Sequence, residues 1–166
     1  MRRRVQLDQL DLKILDCLQS EGRCTNANLA ARVGLSESAC SARIRKMQSN
    51  GVIAGYRLLL GAGTISPSVT VLAAVKLDVG APAHLAAFER YLEGIPSVVE
   101  CDLVTGEFDY LLRFVAPDVD TYLKIADDCV GNFKSVKTWV TNVVLRRAKD
   151  APLKASALNA FSDDER

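Results

Sequence analysis

Three serines and three cations fall between residues 36 and 46: Ser36, Ser38, Ser41, Arg43, Arg45 and Lys46. Hydroxyls of this kind bond base edges or phosphates. Arg and Lys neutralise phosphates, and Arg can also grip a guanine through two hydrogen bonds. At helical spacing Cys40, Ile44 and Met47 share one face, while Ser38, Ala42, Arg45 and Ser49 point the other way. Ser41 and Lys46 flank that outer face, and Arg43 borders the apolar one. Glu37 is the only acid in the helix. Duplex DNA is the partner this face fits, against the plainer reading of a solvated basic helix. Ser36, Ser38, Ser41, Arg43, Arg45 and Lys46 are therefore the candidate DNA-contact residues.

A second candidate lies at Thr105-Gly106-Glu107-Phe108-Asp109. Its carboxylate could pair an ammonium group, with backbone N–H groups around Gly106 open to a carboxylate. The same residues would equally close a hairpin, with Asp109 bonding the turn backbone. Asp102, Glu107 and Asp109 together raise the reading of a metal or acid–base site, but no ligand spacing supports it, and no enzyme is expected. Cys17, Cys24, Cys40, Cys101 and Cys129 include no Cys-x-x-Cys pair, and His84 is the only histidine. A zinc site is therefore not expected, and the thiols read as small buried hydrophobes of a reducing compartment.

The basic helix needs elements to position it. Leu7, Leu10, Ile14, Leu15 and Leu18 recur at helical spacing behind Asp8 as N-cap, predicting a helix to about Glu21. Thr25 caps a second helix, Asn26 to Val33, and Gly34 ends it in a left-handed conformation. Ser36 then caps the third, Glu37 to about Asn50. Two helices joined only by Gly34-Leu35-Ser36 form a helix-turn-helix. Leu29, Val33, Leu35, Cys40, Ile44 and Met47 supply its core, and Ala30 allows close packing. Val52 to Leu60, interrupted by Gly55, reads as a strand leaving the head to pair with a partner chain. Arg2-Arg3-Arg4 is either a phosphate-touching arm or a solvated tail.

Gly61, Gly63 and Pro67 mark a boundary. The expected organisation is a DNA-binding domain over 1–60, a linker over 61–68, a second domain over 69–150 and a frayed tail over 151–166. Residues 1–60 carry ten Lys/Arg against five Asp/Glu, a charge of +5, and the remainder carries −4, within a net +1. A basic first third suits a polyanion. Strands over 69–79, 98–104, 109–115 and 136–145 alternate with helices over 83–93 and from Asp118 through Val130. This βαββαβ order is ferredoxin-like, and the fold class is α+β. Val71, Ala73 and Val75 are expected on the sheet face away from the helices, covered by dimerisation. No apolar run reaches a membrane span. The basic start with no apolar run behind it points to the cytoplasm.

These residues, from Leu7-Asp8 through Val33-Gly34-Leu35-Ser36 and Gly51-Val52-Ile53 to Thr105-Gly106-Glu107-Phe108-Asp109-Tyr110, resemble the Lrp/AsnC (feast/famine) family over about residues 7–150. The resemblance implies a bacterial or archaeal, nucleoid-associated transcription regulator with a winged-type helix-turn-helix and a ferredoxin-like domain for assembly and small-molecule sensing. It implies dimers that assemble into octamers, a tetramer of dimers, and an amino-acid effector in place of any cofactor. It places a Gly-x-x-Asp effector element on Gly106 and Asp109, so that Leu103, Val104, Thr105, Gly106, Asp109, Trp139 and Thr141 form the implied pocket. Trp139 departs from the Thr-x-Thr often found in the last strand; it would narrow the pocket, stack on a bulky effector, plug the site or serve as core. Asn28 departs from the Glu often found in the second helix and weakens the capping box. The alternative function is an effector-independent architectural DNA binder.

Overall fold

The computed structural model describes residues 5–58, 60–78, 82–151, 154, 155 and 157. The Arg2-Arg3-Arg4 arm lies outside them. The chain divides into two compact units, one of residues Met1–Leu59 with Lys149–Arg166 and the other of Leu60–Ala148.

The first unit, the head, holds α1 (Gln9–Ser20), α2 (Asn26–Val33) and α3 (Glu37–Ser49). Each helix starts where a side chain accepts an otherwise orphaned N–H. Asp8 accepts from Leu10 and Asp11, and Asp11 answers on the Asp8 N–H at 3.2 Å, completing a capping box. Thr25 accepts from Asn28 at 3.2 Å, and Ser36 accepts from Ala39 at 3.3 Å. Gly34 closes α2 at φ 72° and ψ 37°, a left-handed conformation that costs a residue without Cβ little. The core gathers Ile14, Leu29, Ala30, Val33, Cys40, Ile44 and Met47, with Leu35 packed on it. Leu12 is buried as well, at 5% exposure.

Two expectations about this unit change. Residues 54–58 belong to no strand in the single chain; a strand there needs a second backbone to bond. The segment read as a frayed tail returns to the head instead. The Ala155 N–H donates to Asp16 Oδ1 at 3.1 Å and to Gln19 Oε1 at 3.2 Å on α1, and Ala155 is buried.

The second unit begins with one helical turn, α4 (Ala62–Ile65), inside the expected linker. There follow β1 (Val69–Leu77), α5 (Pro82–Glu93), β2 (Val98–Leu103), β3 (Tyr110–Ala116), α6 (Val119–Asn132) and β4 (Val136–Val143). The sheet is antiparallel throughout, in the order β2-β3-β1-β4. Asp118 caps α6 through the Thr121 N–H at 2.7 Å. Phe88 and Leu92 of α5 and Tyr122, Ala126 and Cys129 of α6 bury one sheet face.

That face corrects the expected parity. Val71, Ala73 and Val75 are buried against the helices, with Tyr110, Leu112 and Phe114 of β3. The opposite face presents Leu72, Ala74, Leu111 and Val140, brought together by the pairings Ala74↔Leu111 and Ala74↔Val140. Leu111 remains 47% exposed there. Cys101 is exposed on the edge strand β2, contrary to the buried reading, because an edge strand lacks a neighbour on one side.

Candidate functional site

The outer face of α3 is built as its spacing requires. Cys40, Ile44 and Met47 are buried, while Ser38, Ala42, Arg45, Lys46 and Ser49 are exposed and Ser41 is half-buried. Ser36 Oγ caps the helix and lies 3.2 Å from Ser38 Oγ, so its first task is to hold the N-terminus in place. Arg43 differs from its neighbours. One guanidinium nitrogen meets Asp8 Oδ2 at 2.6 Å and Asp11 Oδ1 at 2.8 Å. It thus ties α3 to the start of α1, and these bonds hold the Asp8 carboxyl below its usual range after the larger effect of the Asp11 N–H. Arg45 and Lys46 have no carboxylate partner among the described residues.

Beside Arg45 an open cleft of about 330 Å³ is lined by Arg23, Asn26, Ser41, Gln48 and Tyr56 as well. Arg23, Asn26, Gln48 and Tyr56 were not among the sequence-derived contacts. Gln48 could have been found, since it follows Arg45 by three residues and so shares its helix side. Tyr56 reaches the cleft from the segment after α3, which no helical periodicity signals.

In the second unit the implied effector residues fall into two groups. Leu103 and Val104 lead into the β2–β3 hairpin, where Thr105 is exposed and Gly106 adopts φ 118°, a conformation that favours glycine. Asp109 follows. Its Oδ2 accepts from the Leu77 N–H at 2.8 Å and its Oδ1 from Lys76 Nζ at 3.1 Å. The Leu77 N–H, and then Lys76, hold this carboxyl below its usual range. Asp109 therefore bonds strand β1, across the irregularity between Lys76 and Leu77, in addition to closing the hairpin through Val104 N–H to its carbonyl.

Trp139 and Thr141 stand on the helix-covered face, opposite Val75 and Ala73. Trp139 Nε1 donates to the Tyr122 hydroxyl at 3.0 Å, and that hydroxyl lies 2.8 Å from Thr141 Oγ1. Phe114 packs against the indole at 6.1 Å between ring centroids. Of the roles open to Trp139, a part in the core is the one these contacts display. By strand alternation Asp109 and Lys76 point to the other face, so within one chain the sheet stands between the two groups. Among the described residues no group of three His, Cys, Asp or Glu is placed to hold a metal ion, Asp102, Glu107 and Asp109 included. No helix among them is long and apolar enough to cross a membrane.

Comparison with known proteins names both units. Residues 7–54 match a winged helix-turn-helix DNA-binding model, and residues 70–153 match the Lrp/AsnC ligand binding domain. The chain belongs to the Lrp/AsnC family. The leucine-responsive regulatory proteins of Escherichia coli and Salmonella typhimurium are each 35% identical to it over 145 residues, covering 87% of this chain and 88% of theirs. An AsnC family transcriptional regulator from Agrobacterium tumefaciens superposes with a TM-score of 0.81 at 31% identity, over 87% of this chain and 94% of that one. A transcriptional regulator from Neisseria meningitidis in complex with L-Met gives 0.83 at 29%, over 88% and 94%. This Lrp/AsnC protein is thus a DNA-binding transcription regulator with a ligand-binding domain, and its family is one of regulators, not of enzymes.

Proposed function

We propose that this regulator reads specific duplex sequences through α3 and that its assembly or DNA binding responds to an amino acid. The observation that carries the DNA contact is the outward row of Ser38, Ser41, Arg45 and Lys46, whose cations face no carboxylate among the described residues. Ser36 supports it as the helix cap. Arg43 supports it by fixing α3 on α1, in place of the direct phosphate contact expected from its charge. Arg23 and Gln48 extend the contact along the cleft.

For the effector, Asp109 receives the α-ammonium and backbone N–H groups around Gly106 receive the carboxylate, with Leu103, Val104 and Thr105 beside them. Lys76 already holds an ammonium on Asp109 at 3.1 Å, so the incoming group displaces a built-in competitor while the Leu77 N–H stays bonded. Trp139 and Thr141 meet the same ligand from a second copy of the chain, since the sheet separates them from Asp109 in one copy. The apolar centre formed by Leu72, Ala74, Leu111 and Val140, rimmed by the pairs Lys76–Asp109 and Arg113–Glu100, supports dimerisation through this face. Assembly of dimers into an octamer, within the cytoplasm and on the nucleoid, completes the reading. The neighbour bound to L-Met supports an amino acid as the ligand class.

The effector-independent architectural reading has its own support in Trp139, whose ring and N–H are already engaged by Phe114 and Tyr122. A thermal-shift screen of the full chain against the twenty amino acids decides between them. A ligand at 100 times its dissociation constant adds roughly 2.7 kcal/mol of apparent stability. A selective shift that disappears in Asp109→Ala supports the sensor. No shift with any amino acid, on an assembled and DNA-binding protein, sinks it in favour of the architectural binder.

A further inference from the structure

The head contains a group of thiols that DNA contact does not use. Cys17 of α1, Cys24 of the loop before α2 and Cys40 of α3 all join its core; Cys40 is fully buried, and the other two are half-buried. Two neighbours bring Cys17 and Cys24 to the same place. The Cys40 thiol is pushed above its usual range by burial first and then by the nearby Cys24 and Cys17. The Arg32 guanidinium, bonded to Glu21 at 2.6 Å, is also influenced by Cys24 and Cys17 in that order. Cys24 has a route to solvent as well. It lines the 330 Å³ cleft with Arg23, Ser41 and Arg45.

We propose that Cys17 and Cys24 form a redox-modifiable pair, that hydrogen peroxide joins them as a disulfide, and that the joined form releases DNA. The release rests on the DNA-binding reading above; the thiol chemistry does not. Cys24, reached through the cleft, attacks one peroxide oxygen as its thiolate, giving a sulfenic acid and one water. The Cys17 sulfur then attacks the sulfenic sulfur, the S–S bond forms and a second water leaves. Two thiols give up two hydrogens and two electrons, and one peroxide becomes two waters.

Disulfide geometry is narrow, with Cα atoms about 5.5–6 Å apart, so closing the bond draws the 21–24 segment onto α1. That segment carries Arg23 on the cleft wall and the Glu21 N–H bond to the Cys17 carbonyl at 3.0 Å that ends α1. The wall facing Arg45 therefore moves. The remaining thiols fit other descriptions. Cys129 is buried in the second unit, and burial pushes it up to about 11. Cys101 is exposed in the second unit and serves as the control.

The test uses the full chain and a labelled duplex recovered from a random-sequence pool by selection on the reduced protein. After peroxide, two of the five thiols are expected to disappear, and a non-reducing peptide map joins Cys17 to Cys24. Affinity for the duplex falls about tenfold or more, a change of about 1.4 kcal/mol or more, and dithiothreitol restores it. Cys17→Ser binds the duplex like the parent when reduced and keeps that affinity after peroxide, while Cys101→Ser behaves as the parent does. The proposal is overturned by a map joining other cysteines, by oxidation of Cys24 alone, by all thiols surviving, or by a disulfide that leaves affinity unchanged. Should Cys17→Ser fail to fold, the map and the dithiothreitol reversal on the parent chain still decide. A reduced chain that enriches no duplex overturns the DNA reading and the release step with it, whereas the map separately judges the pairing.

Discussion

The head and the sheet unit leave opposite kinds of group facing outward. In the head the carboxylates Asp8 and Asp11 are drawn to Arg43, and Arg45 and Lys46 are left bare on α3. In the sheet unit the cations Lys76 and Arg113 are matched with Asp109 and Glu100, and aliphatic side chains stand open between those pairs. One surface lacks anions and the other lacks apolar cover. The contrast shows that a surface's partner is read from what internal pairing leaves over. Total charge does not reveal it: a net +1 hides a face suited to a polyanion and a face suited to a second copy.

The contrast breaks most visibly if a charge is set into the apolar face. Leu111→Glu places an unpaired carboxylate at its centre, a cost of about 3–5 kcal/mol when buried against a second copy. Size-exclusion light scattering is expected to show monomer, and an assembled Leu111→Glu would remove this face from the interface. Next in size, Arg45→Ala is expected to weaken DNA binding by about 1–3 kcal/mol with the melting temperature unchanged. Affinity measured at fixed salt checks this, and an unaltered value takes Arg45 out of the contact. Arg43→Ala should show the reverse signature, a lower melting temperature of the head with a smaller loss of affinity. Weaker binding without loss of stability would return Arg43 to the DNA face.

The smallest effect concerns acid. Asp109 has a folded-state pKa depressed below the ordinary 3.8 by the Leu77 N–H and Lys76. Its contribution to stability is therefore present above 3.8 and is lost as pH falls through the lower folded-state value. Asp109→Asn should flatten that part of the stability–pH curve, measured by urea unfolding between pH 5 and 2. An unchanged slope would mean that the pair with Lys76 does not stabilise the sheet.

What the sequence made legible follows the range of the interactions. The bounds Asn26–Val33 were readable because Thr25 and Gly34 act on their own helix. The head core was readable for the same reason. β1 defeated face assignment because Val71, Ala73, Val75 and Leu72, Ala74 are apolar on both sides; the register with β3 and the helices settles which set is buried. The separation of Asp109 from Trp139 and Thr141 likewise depends on pairings between distant strands. Arg43 looked like its neighbours because its carboxylate partners lie 32 and 35 residues away.

The bond from Ala155 to Asp16 and Gln19 spans nearly the whole chain. During synthesis the three helices leave the ribosome first, yet the surface of α1 that receives Ala155 stays uncovered until every strand of the sheet has been translated. The head is begun first and completed last, and each nascent chain carries that uncovered helix through most of its translation.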